Sequence, residues 1–152
     1  MKNIDLLYKA YKIAEKAHSG QVDKAGVDYI YHPIRVSKRF PEHDYESRIV
    51  ALLHDVLEDS SMTAEDLANE GIPKHLVNAV VCMTRKPGEE YSDFIRRCCS
   101  DIIAARVKRE DLNDNLDITR LKEIDEEDVA RLNKYLRARE FLEKTIPYLI
   151  CP

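Results

Sequence analysis

Apolar residues in this chain recur at intervals of three and four almost throughout, while its four glycines and six prolines fall between the periodic stretches. Side chains so spaced share one face of a helix, so the pattern predicts an all-α bundle. At 152 residues the chain is sized for a single domain spanning 1–152. The first helix is expected from about Ile4 to His18, stopping at Ser19-Gly20. The polar stretch GQVDKAGVDYIY reads as a loop, and a second helix is expected from Pro33 to Phe40, because proline suits a first helical position. That places His32 at a helix mouth. A third helix is expected from about Asp44 through Glu58, with Ile49, Leu52, Leu53, Val56 and Leu57 as its apolar stripe. Thr63 and Asp66 have capping-box spacing for a short helix that ends at Gly71, and another starts at Pro73. Further helices are expected over about 91–99, 102–116 and 127–145, the last behind an acidic run, 123–128, that suits a helix N-terminus.

Composition removes several function classes. Charged residues make up 34% of the chain and apolar residues 44%, a balance that excludes a disordered chain. The longest apolar runs are four or five residues, far short of the roughly 20 that a spanning helix needs, so no membrane partner is expected. The N-terminal residues carry charges throughout and lack a signal-peptide core, which predicts a cytoplasmic protein. Net charge is −4 and the basic residues are dispersed, so nucleic acid is not an expected partner. Cys82, Cys98, Cys99 and Cys151 have neither CxxC nor disulfide-framework spacing and read as reduced packing residues. Oligomeric state is left open.

The chemistry concentrates in three places. His54 and Glu58 are four residues apart, as are Asp55 and Asp59, so a continuous helix would carry two polar ladders beside an apolar face. Imidazole with carboxylate suits a divalent ion such as Mn²⁺, Fe²⁺, Co²⁺ or Zn²⁺. A solvated helix end with a capping carboxylate would give the same local pattern. His32 upstream, and Asp111 with Asn115 on one face of a later helix, supply the further polar groups of such a site.

In chain order, His, His-Asp and a distant Asp form the pattern of the HD superfamily of metal-dependent phosphohydrolases. The segments AHSGQVDKAGVDYIYHPIRVS, ALLHDVLEDS and VKREDLNDNLDITRL resemble the hydrolase domain of the Rel/SpoT alarmone enzymes and the small stand-alone alarmone hydrolases, over roughly residues 3 to 145. The resemblance implies an HD-domain helical bundle. It also implies that His32, His54, Asp55 and Asp111 are metal ligands, normally to Mn²⁺, and that Glu58 and Asp59 position and activate the attacking water. Asn115 and Lys24 match nucleotide-contacting positions. The implied partner is a phosphorylated small molecule, a nucleotide such as ppGpp, and no synthetase activity is expected.

Two positions depart from that family. Asp23 stands where the alarmone hydrolases carry an arginine that packs on guanine, and Asp28 stands where proline is usual. An aspartate can neither stack like a guanidinium nor offset phosphate charge. Two other readings are therefore carried: a nucleotidase or phosphatase for another phosphorylated small molecule, and a metal- or nucleotide-sensing module without turnover. His18, His43 and His75 are expected to cap, pack or face solvent, and Asp114 and Asp117 to lie on a helix surface. Arg85-Lys86 and Lys108-Arg109 are expected to be solvated.

Overall fold

The structure, a computed structural model, describes residues 2–150. Nine α-helices follow one another among them: α1 Asn3–Ala17, α2 Tyr31–Lys38, α3 Tyr45–Leu53, α4 Val56–Asp59, α5 Ala64–Asn69, α6 Lys74–Cys82, α7 Tyr91–Cys98, α8 Ile102–Asn115 and α9 Glu126–Ile150. A 3₁₀ turn, Ile118–Arg120, joins the last two. The expected all-α class holds, and the only β-type pairing among the described residues is an isolated bridge from Val22 to Asp28. That bridge folds the 20–31 loop back on itself, with Asp23 N–H donating to Val27 O and Tyr29 N–H to Gln21 O.

Helix α3 is the centre of the bundle. It packs against α1, α2, α6 and α8, and Ile49, Val50, Ala51, Leu52 and Leu53 are all buried. Burial on every side explains the nearly unbroken apolar run, since each of the larger side chains, Ile49, Val50, Leu52 and Leu53, contributes about 1.5–3 kcal/mol when removed from water. A second apolar cluster joins α7, α8 and α9 through Phe94, Ile95, Cys98, Leu112, Leu142 and Ile146. Helix α8 faces both clusters, with Ala104 and Val107 toward the first and Ala105 and Leu112 toward the second. The polar residues that follow on α8 therefore sit between two dry regions. The Thr63–Asp66 capping box forms as its spacing predicts.

Three boundaries differ from the sequence expectation. Helix α2 begins at Tyr31, not Pro33, because Asp28 O and Tyr29 O accept from the amides of Tyr31 and His32; His32 thus lies in the first turn. The expected third helix is interrupted at His54-Asp55, so the two polar ladders do not run along one cylinder. The long C-terminal helix extends to Ile150. Cys82, Cys98 and Cys99 are free thiols, as expected, and Cys151 lies outside the described residues. No helix is long and apolar enough to cross a membrane among the described residues.

Candidate functional site

The start of α2, the break between α3 and α4, and the last turn of α8 bring His32, His54, Asp55 and Asp111 together. One donor atom each from His32, His54 and Asp55 lies within 4.8 Å of the other two. Asp111 Oδ1 is 3.0 Å from His32 Nε2 and 3.5 Å from His54 Nε2. Asp55 Oδ2 is 3.0 Å from His54 Nε2 and 3.7 Å from His32 Nε2. Ligand bonds of about 2.1 Å at octahedral angles would set neighbouring donor atoms about 3 Å apart, so the spacing fits one divalent ion.

The tautomer of His54 sharpens that fit. Its Nδ1–H donates to Ala51 O at 2.7 Å, which leaves a lone pair on Nε2. That Nε2 is buried, has no hydrogen-bond partner, and faces carboxylate oxygens. An acceptor aimed at acceptors in a dry site calls for a cation between them. Without one, the carboxylates hold the protons on the rings: burial pushes His32 and His54 down, but Asp111 with Asp114 for His32, and Asp55 with Asp111 for His54, outweigh it and raise both. Asp55 is held below the usual carboxylate range by His54, and Asp111 by Lys108 and the two imidazoles, each against the opposing effect of burial.

A second layer fixes these groups. His32 Nδ1 pairs with Asp114 Oδ2 at 2.7 Å, and Arg35 grips the same carboxylate through two nitrogens, 2.9 and 3.0 Å away. Asp114 is 1% exposed, which corrects the expectation of a surface position. Lys108 Nζ donates to Asp111 Oδ2 at 2.7 Å and Asn115 Nδ2 to Asp111 Oδ1 at 2.8 Å; Lys108, expected to be solvated, is tied into the site. Tyr29 O–H donates to Asp55 Oδ2 at 2.6 Å. Such partners set ring orientation and ligand basicity.

Glu58 and Asp59 stand at the solvent-facing edge of this cluster. Glu58 Oε1 accepts from the backbone N–H of Arg85, while Arg85's side chain is taken by Glu89 O. Partial burial raises both carboxyl groups, with Asp55 adding to the rise at Asp59. His18 is buried at the end of α1, its ring 5.0 Å from that of Tyr29, whereas His75 is exposed and pairs with Glu46. Gln21 Nε2 donates to Ala17 O and Asp59 O, so its oxygen faces His18 Nδ1 at 2.8 Å and joins α1 to the end of α4.

A cavity of about 300 Å³ opens from His32 to the surface between the 20–31 loop, the 3₁₀ turn and α9. Lys24 and Asn115 both line it, together with Asp23, Arg35, Arg120 and Arg131. The Asp23 carboxylate accepts from the amides of Ala25 and Val27, so it staples its own loop as well as placing negative charge at the wall. Tyr29 and Gln21 are site residues that the sequence reading leaves without a role, although both lie in the stretch that leads to His32.

The fold and cluster define an HD-type helical bundle with a buried His/Asp centre. No protein-family model matches the chain. A GTP pyrophosphokinase from Myxococcus xanthus is 30% identical over 145 residues, covering 86% of this chain and 19% of that protein. The bifunctional (p)ppGpp synthase/hydrolase SpoT of Escherichia coli is 44% identical over 66 residues, 42% of this chain and 9% of that protein. This chain therefore spans a fifth or less of these relatives. Among solved structures, one of a metazoan ortholog of SpoT that hydrolyses ppGpp superposes with a TM-score of 0.71 at 21% identity, covering 95% of this chain and 93% of the other. The chain is thus similar in sequence to Rel/SpoT proteins over these stretches and shares the all-α HD-type fold of the metazoan ortholog.

Proposed function

We propose that the protein is a divalent-metal-dependent phosphohydrolase of a nucleotide, with the 3′-pyrophosphate of ppGpp as the reference substrate. The observation that carries this is the buried, unpartnered Nε2 of His54 directed at two carboxylates, with a cation-bearing cavity opening beside His32. His32, His54, Asp55 and Asp111 would hold the ion, which we assign as Mn²⁺. When bound, it supplies positive charge that acidifies water and offsets phosphate charge.

The protein's own groups do the rest. Glu58 or Asp59 accepts the proton of the attacking water, and partial burial, which raises both carboxyl groups, makes each a stronger base than a free carboxylate. The water oxygen bonds to phosphorus as the bond from phosphorus to the ribose oxygen breaks; pyrophosphate is released, and the departing ribose oxygen takes up a proton from solvent to become the free 3′-hydroxyl of the nucleotide. Asn115 spends its Nδ2–H on Asp111 and keeps its carbonyl oxygen for the ligand, and Lys24 offers a cation at the cavity wall. Tyr29, Lys108 and Asp114 hold the ligand set in place. Residues 1–152 act as one domain in this reading. Its compartment is the reducing cytoplasm, in keeping with the free thiols of Cys82, Cys98 and Cys99.

Asp23 favours a second reading on the same chemistry, a phosphatase or nucleotidase for a different phosphorylated molecule, because it puts a carboxylate where a polyphosphate would approach. The test is turnover of a nucleotide panel with added Mn²⁺, set beside binding measured under the same conditions. Pyrophosphate release from ppGpp supports the first reading, and orthophosphate release from another nucleotide the second. Binding without turnover of any compound would replace both with a sensing role.

A further inference from the structure

Four cations line the cavity: Lys24, Arg35, Arg120 and Arg131. Each is already committed to a carboxylate of the protein. Arg35 and Arg120 go to Asp114, which is 1% exposed and also holds His32, so its closest pair, with Arg35, is part of the centre itself. Lys24 and Arg131 go to Asp128 instead. Lys24 Nζ lies 2.8 Å and Arg131 Nη2 2.7 Å from the same oxygen, Oδ1. One cation comes from the 20–31 loop and the other from α9, 104 residues from Lys24 to Asp128 along the chain. The Lys24 side chain is 58% exposed and free to swing.

Two cations from separate elements sharing one anionic oxygen is the arrangement a phosphate oxygen would receive there. We propose that Asp128 is an affinity-setting residue that occupies Lys24 and Arg131 as an internal stand-in for a phosphate group, so that the anionic ligand must displace it. This rests on the phosphohydrolase reading for the identity of the ligand. Asp128 has a second task, since its Oδ2 accepts from Asp125 N–H at 3.1 Å at the start of α9, and that bond survives if Lys24 and Arg131 turn toward a ligand. Displacement therefore costs two ion pairs and no helix cap, and the one made by the exposed Lys24 corresponds to about a fivefold change in an equilibrium constant or less.

The experiment titrates inorganic pyrophosphate into the full chain without added metal and, separately, measures KM and kcat for ppGpp with Mn²⁺. Asp128→Asn and Asp128→Ser each keep an oxygen for the Asp125 amide, and thermal unfolding reports whether α9 stays docked. Both variants should bind pyrophosphate about three- to tenfold more tightly and lower KM by a similar factor, with kcat little changed. In a Lys24→Ala/Arg131→Ala background the same substitutions should give no gain. Unchanged or weaker binding in a cooperatively folded variant overturns the inference, as does a gain that persists undiminished without the two cations. If wild type hydrolyses ppGpp while Asp128→Asn alters nothing, this inference alone falls. If no variant binds pyrophosphate and no phosphate compound is turned over, the phosphohydrolase reading falls with it.

Discussion

At the inner end of the cavity, carboxylates are held by largely buried cations on packed helices, whereas farther out Asp128 is held in part by a lysine that solvent reaches. Asp111 and Asp114 are buried and gripped by Lys108, Arg35 and His32, all anchored on packed helices. Asp128 is held by the largely exposed Lys24 together with Arg131, and Asp23, at the cavity wall, accepts from two amides of its own loop. Low dielectric strengthens the inner contacts and water screens the outer ones. Substitutions inside should therefore act on ligand-set integrity and chemistry, and those outside on affinity and substrate choice.

The largest effect is expected at Asp111. Asp111→Ala should abolish most metal binding and lower turnover by roughly 10³-fold or more, and it strands the buried Lys108, costing about 3 kcal/mol of stability. Asp111→Asn separates the two effects, because it keeps a hydrogen-bond acceptor for Lys108. Metal titration and thermal unfolding read them independently, and unchanged stoichiometry in Asp111→Ala would remove Asp111 from the ligand set.

Next comes Glu58→Gln, expected to retain metal while losing roughly 10²-fold in kcat. Loss of the metal in this variant would reassign Glu58 as a ligand. Asp114→Asn removes the charge behind His32 and should weaken metal affinity by about 10- to 100-fold, with kcat at saturating metal much less affected. A fall in saturated kcat equal to that of Glu58→Gln would erase the distinction between positioning and chemistry.

Asp23→Arg tests the mouth. The native carboxylate should make ppGpp binding weaker by about ten- to a hundredfold than in an arginine-bearing enzyme, through repulsion and a lost cation–π contact. The variant should recover at least part of this in kcat/KM, set against the loss of the loop staple to Ala25 and Val27. Efficient ppGpp hydrolysis by wild type with no gain on adding arginine would sink the idea. The smallest effect expected is on Cys98, which is fully buried and whose thiol burial pushes up to about 12. Alkylation mapped by mass spectrometry should leave it unmodified in the folded protein at neutral pH.

Much of this was legible beforehand because helical periodicity is a local signal. The helices, the Thr63–Asp66 capping box and the chain order of His32, His54-Asp55 and Asp111 could all be read directly. The interruption at His54-Asp55 could not, since Ile49, Leu52, Leu53, Val56 and Leu57 keep a helical stripe across it. Asp114 looked like a surface residue because its neighbours are polar; its burial depends on Arg35 and His32, which lie 79 and 82 residues away. Lys24 with Asp128 is a pairing of the same kind. Charge partners at such separations leave no trace in spacing.

The interruption between α3 and α4 has a consequence for where a proton resides. In an uninterrupted helix the carbonyl of Ala51 would serve the amide of Asp55, its partner four residues on. Here that carbonyl receives the imidazole N–H of His54 instead. A local lapse in backbone regularity thereby sets which ring nitrogen is protonated, and the other emerges with its electron pair directed inward. Restoring helical continuity at this point, even with every side chain retained, would make His54 share the Ala51 carbonyl with the amide of Asp55.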